Sequence, residues 1–313
     1  MIWALGVLGL VLLFVGGEGL VRGASALALR LGLSPLAVGL TVVAFGTSTP
    51  ELVVSLDAAL AGVPDIAVGN VVGSNIANVT LILGTAMLFR PALVVARTVR
   101  LDAPLVVGLS LVLVWLLSDG TVGRVEGALL VGSLFLFTTL TLLQGRKEPR
   151  VVHEEFQEAL EGGTSSVLAS SLLVLAGLGA LILGGQLFLN AAVEFARTVG
   201  LSEAVIGLTI VAVGTSLPEL ITSVVAALRG QGDIAVGNVL GSNVFNILGI
   251  LGVTAVVLPL ESGGITMATL WVMVGAAVAV GLAAATGRRI TRWEGGALLA
   301  GYVGYVLWLV SSG

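Results

Sequence analysis

Two glutamates stand inside long apolar segments of the chain, and each follows a proline and a short run of hydroxyl residues. Glu51 ends the sequence Thr-Ser-Thr-Pro-Glu, and Glu219 ends the sequence Thr-Ser-Leu-Pro-Glu. A carboxylate at the centre of a bilayer costs at least about 2.5 kcal/mol, so a residue of this kind is functional by default. No Arg or Lys lies within either segment to neutralise it. We therefore expect a cation as the partner of each glutamate.

The residues beside each glutamate offer only oxygen ligands. Thr and Ser hydroxyls precede it, and Pro50 and Pro218 each remove a helical hydrogen bond, which frees carbonyls in the preceding turn. Carboxylate, hydroxyl and carbonyl oxygens suit hard cations such as Ca²⁺ and Na⁺. Two carboxylates are neutralised by one Ca²⁺ or by two monovalent ions, so these cations would compete for one site. If the empty pair cannot reorient across the membrane, transport is coupled exchange.

A second polar motif follows each glutamate. Asn70, Ser74 and Asn78 are spaced four residues apart and share one helix face, as do their counterparts Asn238, Ser242 and Asn246. Their amide and hydroxyl oxygens add neutral ligands. The alternative for each Ser, Thr and Asn is a packing or interhelical hydrogen-bonding role.

The composition places these motifs in a membrane. The chain is 57% hydrophobic and only 10% charged, whereas a soluble domain carries about 25% charged residues. Continuous apolar runs of this length predict helices rather than strands. The sequence thus predicts an all-α membrane protein with ten transmembrane helices, at 2–21, 35–60, 66–89, 101–118, 125–144, 167–189, 203–228, 234–260, 265–286 and 293–311.

An internal repeat organises these segments. With a shift of 168 residues, 33 of the 53 positions in 32–84 are identical to those in 200–252, without a gap. The two glutamates are five predicted spans apart, and because five is odd the two copies must cross the membrane in opposite directions. We expect two inverted five-helix repeats, 1–144 and 167–313, joined by the loop 145–166. This architecture is typical of secondary transporters that work by alternating access.

Basic residues predict the orientation. Twelve of the fourteen fall in loops on one side, and only Arg124 and Arg197 fall on the other. Because basic loops stay in the cytoplasm, we expect the loop 145–166 to be cytoplasmic and both termini extracellular, in the cell membrane.

Several classes of function are excluded. The chain has no Cys and one His, which argues against disulfides, thiolate metal sites and cysteine nucleophiles. His153 lies in a loop, and no base is arranged beside the Ser and Thr residues, so we expect no enzymatic activity. We expect no cofactor, no nucleic-acid partner and no obligatory protein partner. The expected partners are inorganic cations and the lipid bilayer.

The paired motifs GTSTPEL with GNVVGSNIAN and GTSLPEL with GNVLGSNVFN resemble those of the sodium/calcium exchanger family, prokaryotic type, in the cation/calcium antiporter superfamily. The resemblance extends over essentially the whole chain. It implies ten spans in two inverted halves and an antiporter that exchanges Na⁺ for Ca²⁺, in the direction of Ca²⁺ extrusion.

The resemblance also implies the ligands of the transported ions. They are Glu51, Glu219 and the carbonyls of Thr47 and Thr215 for Ca²⁺; the carbonyl of Ala44 with Thr47, Ser48 and Ser216 for one Na⁺; and the carbonyl of Ala212 with Thr215, Ser74 and Ser242 for another. Asn78 and Asn246 would flank the middle of the site.

One residue departs from part of this family. Some relatives, including potassium-dependent exchangers, carry Asp at the position of Asn246, so we expect no K⁺ requirement and little proton coupling there. Thr47-Ser48 and Thr215-Ser216 resemble the sodium-coupled version of the motif. Two alternatives remain. One is an H⁺/Ca²⁺ antiporter on the same fold, and the other is a passive cation channel, because paired glutamates also suit a selectivity filter.

Overall fold

The computed structural model describes residues 2–146, 166–198, 212–261 and 265–312. Most of the predicted loop 145–166, and the first part of the predicted span 203–228, lie outside these residues. The described chain is mostly helical.

Twelve helices make up the described residues. They are α1 (Ile2–Leu31), α2 (Pro35–Thr47), α3 (Thr49–Leu60), α4 (Pro64–Phe89), α5 (Thr98–Asp119), α6 (Arg124–Gly145), α7 (Val167–Thr198), α8 (Ala212–Thr215), α9 (Leu217–Leu228), α10 (Gly232–Val257), α11 (Met267–Ala285) and α12 (Arg292–Ser312).

Eight of these helices are long and apolar enough to cross a membrane, and the bent pair of α2 and α3 brings the number to nine. These spans correspond to nine of the ten predicted segments. Only the second half of the predicted span 203–228 is described, as α8 and α9.

Two helices are longer than predicted. α1 continues to Leu31, although the predicted span ends at 21, and α7 continues to Thr198, although the predicted span ends at 189. The predicted span 2–21 ends just before Arg22, the first basic residue of the chain. In the structure, Glu18 forms ion pairs with Arg22 and with Arg229, so the helix carries these charges without ending.

Two short ladders tie loops together at the helix ends. β1 (Ala92–Leu93) pairs antiparallel with β4 (Arg289–Ile290), and β2 (Thr121–Val122) pairs antiparallel with β3 (Leu260–Glu261). Six arginines lie in or beside the loops joined by β1 and β4, at positions 90, 97, 100, 288, 289 and 292. The loops joined by β2 and β3 carry only Arg124.

α1 and α7 pack against each other through glycine. A Cβ on Gly9 would lie 2.9 Å from the carbonyl oxygen of Gly184, and a Cβ on Gly16 would lie 2.8 Å from that of Gly177. Small residues allow this close backbone contact, as in other membrane helix pairs. Because the lower number on one helix faces the higher number on the other, the two helices are antiparallel.

α4 and α10 occupy the centre of the molecule. Within their apolar windows, 72% and 89% of the residues are buried, compared with 17% in α6 and 11% in α12. The two helices that carry the Asn and Ser motifs are therefore the most enclosed of the eight long spans, and both pack beside the glutamate-bearing helices.

Candidate cation site

A helix break precedes each glutamate. α2 ends at Thr47, Ser48 has φ −85° and ψ 5°, and α3 then starts in a direction bent by 44°. In the second copy α8 ends at Thr215, and Ser216 has a similar backbone conformation with φ −90° and ψ 11°. Proline directly follows each break at the start of the next helix, where its missing N–H costs no helical bond.

Both glutamates lie in the first turn of the helix that follows the break. Each is only 1% exposed, and among the described residues neither forms an ion pair with Arg or Lys. The positive end of the helix dipole favours a carboxylate at this position. The carboxylates are thus held by helix geometry rather than by a fixed positive side chain.

Each carboxylate accepts a hydrogen bond from a serine of the other copy of the repeat. Ser48 donates a hydrogen bond of 2.8 Å to Oε1 of Glu219, and Ser216 donates one of 3.2 Å to Oε1 of Glu51. Ser48 and Ser216 each lie three positions before the glutamate of their own copy, so the crossed bonds bring the two carboxylates into the same region. The structure therefore brings together the two carboxylates that the sequence places 168 positions apart.

Four buried oxygens around this point have no hydrogen-bond partner among the described residues. They are Oε2 of Glu51, Oε2 of Glu219, Oδ1 of Asn78 and Oδ1 of Asn246. An unsatisfied buried polar atom costs about 1–3 kcal/mol, and more when it is charged. A cation is the kind of partner that these oxygens lack, and its positive charge would offset the repulsion between the carboxylates.

The helices widen beside the two central amides. A π-helical turn starts at Asn78 and ends at Ile82, and another starts at Asn246 and ends at Leu251. Such turns are frequent at functional sites because they displace a helix face locally. They start at the two asparagines whose side-chain Oδ1 atoms have no hydrogen-bond partner among the described residues.

The hydroxyl residues differ in how they are used. The hydroxyl of Ser242 is buried and has no hydrogen-bond partner among the described residues, and Ser74 is buried on the equivalent face. The Thr47 hydroxyl lies 3.1 Å from both the Val43 carbonyl oxygen and Oδ1 of Asn238. Its single proton is therefore already engaged, although its lone pairs remain able to bind a cation.

The remaining expected ligands are backbone groups or are partly exposed. The Ala44 carbonyl accepts a hydrogen bond of 3.0 Å from the Ser48 N–H, and the Thr47 hydroxyl lies 3.4 Å from the same oxygen. Ala212 begins α8, and Thr215, half-buried, ends it. Among the described residues there is no group of three or more His, Cys, Asp or Glu side chains able to hold a metal.

Two asparagines serve a different role from the one that their helix face suggests. Nδ2 of Asn70 donates hydrogen bonds of 3.1 Å to the Glu51 carbonyl oxygen and 2.9 Å to the Ser55 hydroxyl. Nδ2 of Asn238 donates a hydrogen bond of 3.4 Å to the Glu219 carbonyl oxygen. Asn238 also donates 3.0 Å to Ser223. Both amides brace the turn that carries a glutamate. Their identical separation of 19 residues from the glutamate in both copies is a signal that the sequence contains.

The expected ligand list also omits Asn75 and Asn243, which contact the central amides. Asn78 donates a hydrogen bond of 3.0 Å to Oδ1 of Asn243, and Asn246 donates one of 3.0 Å to Oδ1 of Asn75. Both residues are buried and both recur in the repeat.

Two relatives are similar to this chain over nearly its whole length. CaxA, a putative antiporter from Alkalimonas amylolytica, is 41% identical over 313 residues, which cover 97% of each chain. MaX1, a sodium/calcium exchanger from Methanosarcina acetivorans, is 34% identical over 339 residues, which cover 96% of each chain.

Solved structures of the sodium-calcium exchanger NCX_Mj have a closely similar fold. One, soaked with zero Na⁺ and Ca²⁺, matches with a TM-score of 0.86 at 30% identity over 98% of both chains. Another, soaked with both ions, matches with a TM-score of 0.84 at 30% identity over 98% of this chain and 97% of the other. Residues 1–143 and 169–311 match the family described as sodium/calcium exchanger protein. The chain is a multi-pass membrane protein and belongs to the sodium/calcium exchanger family.

Proposed function

We propose that this chain exchanges Na⁺ for Ca²⁺ across the cell membrane by alternating access, in the direction of Ca²⁺ extrusion. Its family consists of transporters rather than enzymes. MaX1 and NCX_Mj are both described as sodium/calcium exchangers, which supports the same pair of transported ions here.

The single observation that carries the proposal is the set of four buried, unpartnered oxygens, two from each copy of the repeat. Two are carboxylate oxygens and two are amide oxygens. All are hard ligands of the kind that Ca²⁺ and Na⁺ prefer. One Ca²⁺ or two Na⁺ would neutralise the two carboxylates. With either set of ions bound, the site carries no net charge and the protein can change between its inward- and outward-open states.

The ligands that we propose are those expected from the sequence. They are Glu51, Glu219, Thr47 and Thr215 for Ca²⁺; Ala44, Thr47, Ser48 and Ser216 for one Na⁺; and Ala212, Thr215, Ser74 and Ser242 for another, with Asn78 and Asn246 between them. The Ser242 hydroxyl, which is buried and has no hydrogen-bond partner among the described residues, supports this assignment.

We further propose ten spans in two inverted repeats of five. The antiparallel packing of α1 on α7 supports this, because Gly9 and Gly16 are equivalent to Gly177 and Gly184 under the shift of 168 residues. The arginines gathered at the β1–β4 end support a cytoplasmic position for that end. The connecting loop 145–166 would then be cytoplasmic, with both termini extracellular.

Uptake of ⁴⁵Ca²⁺ into proteoliposomes, with separately imposed Na⁺, K⁺ and H⁺ gradients, tests the function. We expect uptake against a Ca²⁺ gradient when Na⁺ is loaded inside, at clamped pH, and no requirement for K⁺. Uptake that follows only the H⁺ gradient would instead indicate H⁺/Ca²⁺ antiport. Rapid Ca²⁺ flow down its own gradient, without any counter-ion, would indicate a channel.

A further inference from the structure

Four asparagine side chains form two linked pairs at the interface of α4 and α10. Asn78 is paired with Asn243, and Asn246 is paired with Asn75, each through a hydrogen bond of 3.0 Å from the Nδ2 of the first residue to the Oδ1 of the second. All four are buried, with exposures of 1–2%. Each pair joins one copy of the repeat to the other.

The direction of these bonds decides which end of each amide faces the site. An amide presents an acceptor oxygen on one side and a donor NH₂ on the other, in nearly the same shape. With Nδ2 held by the neighbouring asparagine, Oδ1 of Asn78 and of Asn246 is left facing away from its partner and unbonded. The reversed orientation would direct N–H groups toward a cation and repel it.

A fixed backbone group sets the polarity of the first pair. Nδ2 of Asn243 donates to the carbonyl oxygen of Asn75 at 3.4 Å, and a carbonyl can only accept. Asn243 must therefore present its own Oδ1 to Asn78, which fixes the orientation of Asn78 in turn. Bonds in such a chain also strengthen one another in a buried environment.

The second pair has a weaker anchor. Nδ2 of Asn75 lies 3.9 Å from the sulfur of Met273, and a thioether is a weak acceptor. The two copies of the repeat thus use the same asparagines but hold them differently. The amide of Asn246 is consequently the easier of the two to reorient.

We propose that Asn75 and Asn243 are positioning residues that orient the amides of Asn246 and Asn78, so that carbonyl oxygens rather than NH₂ groups face the transported cation. Neither residue binds the ion itself. This inference rests on the proposed function, because it assigns the orientation of ligands in that same site. It also explains why two buried Oδ1 atoms have no hydrogen-bond partner among the described residues, since amides held in this orientation keep their oxygens available to the ion.

Equilibrium binding of ⁴⁵Ca²⁺ to the purified full-length protein, with displacement by Na⁺, tests the orientation without requiring transport. Asn243→Leu removes the partner of Asn78 at similar volume. We expect the Kd for Ca²⁺ to rise about tenfold, as for loss of a hydrogen-bonded ligand to a charge. Met273→Leu conserves volume and removes only the sulfur, so we expect a rise of about threefold through the weaker lock.

The decisive measurement repeats Asn243→Leu in a chain that already carries Asn78→Asp. A carboxylate has oxygen at both positions and needs no orienting partner, so the added substitution should change Kd by less than about twofold. An equal loss in both backgrounds, or an unchanged Kd in Asn243→Leu, would overturn the positioning role. A merely structural role predicts less folded protein with an unaltered Kd.

The same comparison is available at the other pair. If Asn243→Leu does not fold, Met273→Leu with and without Asn246→Asp answers the same question. Wild-type protein that binds neither Ca²⁺ nor Na⁺ would overturn the proposed function and this inference together. Wild-type protein that binds both ions, with variants that bind equally well, would overturn the positioning role alone.

Discussion

The hydroxyl of Ser48 donates a hydrogen bond of 2.8 Å to Glu219, although the two residues are 171 positions apart. Ser216 makes the equivalent contact with Glu51 at 3.2 Å. Each carboxylate is therefore held on one oxygen by the opposite copy, and its other oxygen has no hydrogen-bond partner in the part of the chain that the structure describes. This division allows a carboxylate to be both fixed in place and open to an ion.

Ser48→Ala should weaken cation binding without abolishing exchange. It removes a hydrogen bond to a carboxylate, worth about 1.5–3 kcal/mol, so the KM for Ca²⁺ should rise about 10- to 100-fold. Ser110→Ala is the matched control, because Ser110 is equally buried and its hydroxyl bonds only to Val106 of its own helix. A KM shared by both variants and the wild type would contradict the role of Ser48.

Glu51→Gln and Glu219→Gln should each abolish Na⁺-driven Ca²⁺ uptake. Either change removes one formal charge, so one Ca²⁺ is no longer matched by two carboxylates. Asp57→Asn serves as the control, because Asp57 lies on α3 but is exposed. Uptake by proteoliposomes that stays near the wild-type rate in a glutamate variant, at equal protein content, would remove that residue from the site.

Asn246→Asp should make exchange more sensitive to pH. It places a titratable group beside the two glutamates, where protonation and cation binding then compete. Initial rates of ⁴⁵Ca²⁺ uptake across a pH series measure the effect. Asn190→Asp adds the same group at an exposed position and should leave the profile unchanged. Identical profiles for Asn246→Asp and the wild type would argue against a position of Asn246 beside the ions.

Glu18→Gln should shift the balance between inward- and outward-open states. Glu18 on α1 accepts a hydrogen bond of 2.6 Å from Nε of Arg229, which follows α9. The equivalent positions in the other copy, Gln186 and Ala61, carry no charge, so the ion pair favours one arrangement of α1. Because the pair is partly exposed, we expect a shift of about twofold to fivefold.

The absence of cysteine from the chain makes this shift measurable. A single cysteine introduced at either mouth of the site can be labelled from one side of the membrane, and its labelling rate reports the state. Salt should reduce the wild-type bias, because exposed ion pairs are screened. Equal labelling rates in Glu18→Gln and the wild type, at low salt, would show that the ion pair has no influence on the states.

Gly177→Ala should destabilise the packing of α1 on α7. A Cβ there would lie 2.8 Å from the carbonyl oxygen of Gly16, which is backbone and cannot rotate away. Overpacking of this kind costs about 1–3 kcal/mol and should lower the midpoint of thermal denaturation in detergent. Gly179→Ala meets no atom within 4 Å and should leave the midpoint unchanged or raised. Equal midpoints for the two variants would contradict the close contact.

The sequence predicts the features that depend on local chemistry. Proline after Ser48 and Ser216 predicts the helix breaks, and the hydropathy pattern predicts most of the spans. The family was predicted from the doubled motifs and is confirmed. The roles of the expected ligands stay predictions. The structure does show that both the glutamates and the central asparagines form hydrogen bonds with the opposite copy of the repeat.

Features that depend on tertiary contacts could not be predicted. The ion pair that joins Glu18 to Arg229 is one such feature, because the two residues are 211 positions apart. The bracing role of Asn70 and the pairing of Asn75 with Asn246 depend on which atoms meet across helices, and periodicity assigns only a face. The repeat itself held the missing signal, because these asparagines recur at the same offsets.

The crossed contacts determine what one copy of the repeat can do by itself. Ser48 holds the carboxylate of the later copy, Ser216 holds that of the earlier one, and the asparagine pairs also cross. Neither copy alone can assemble the site. A single copy, expressed on its own, would therefore need a second copy of itself to provide the crossed contacts.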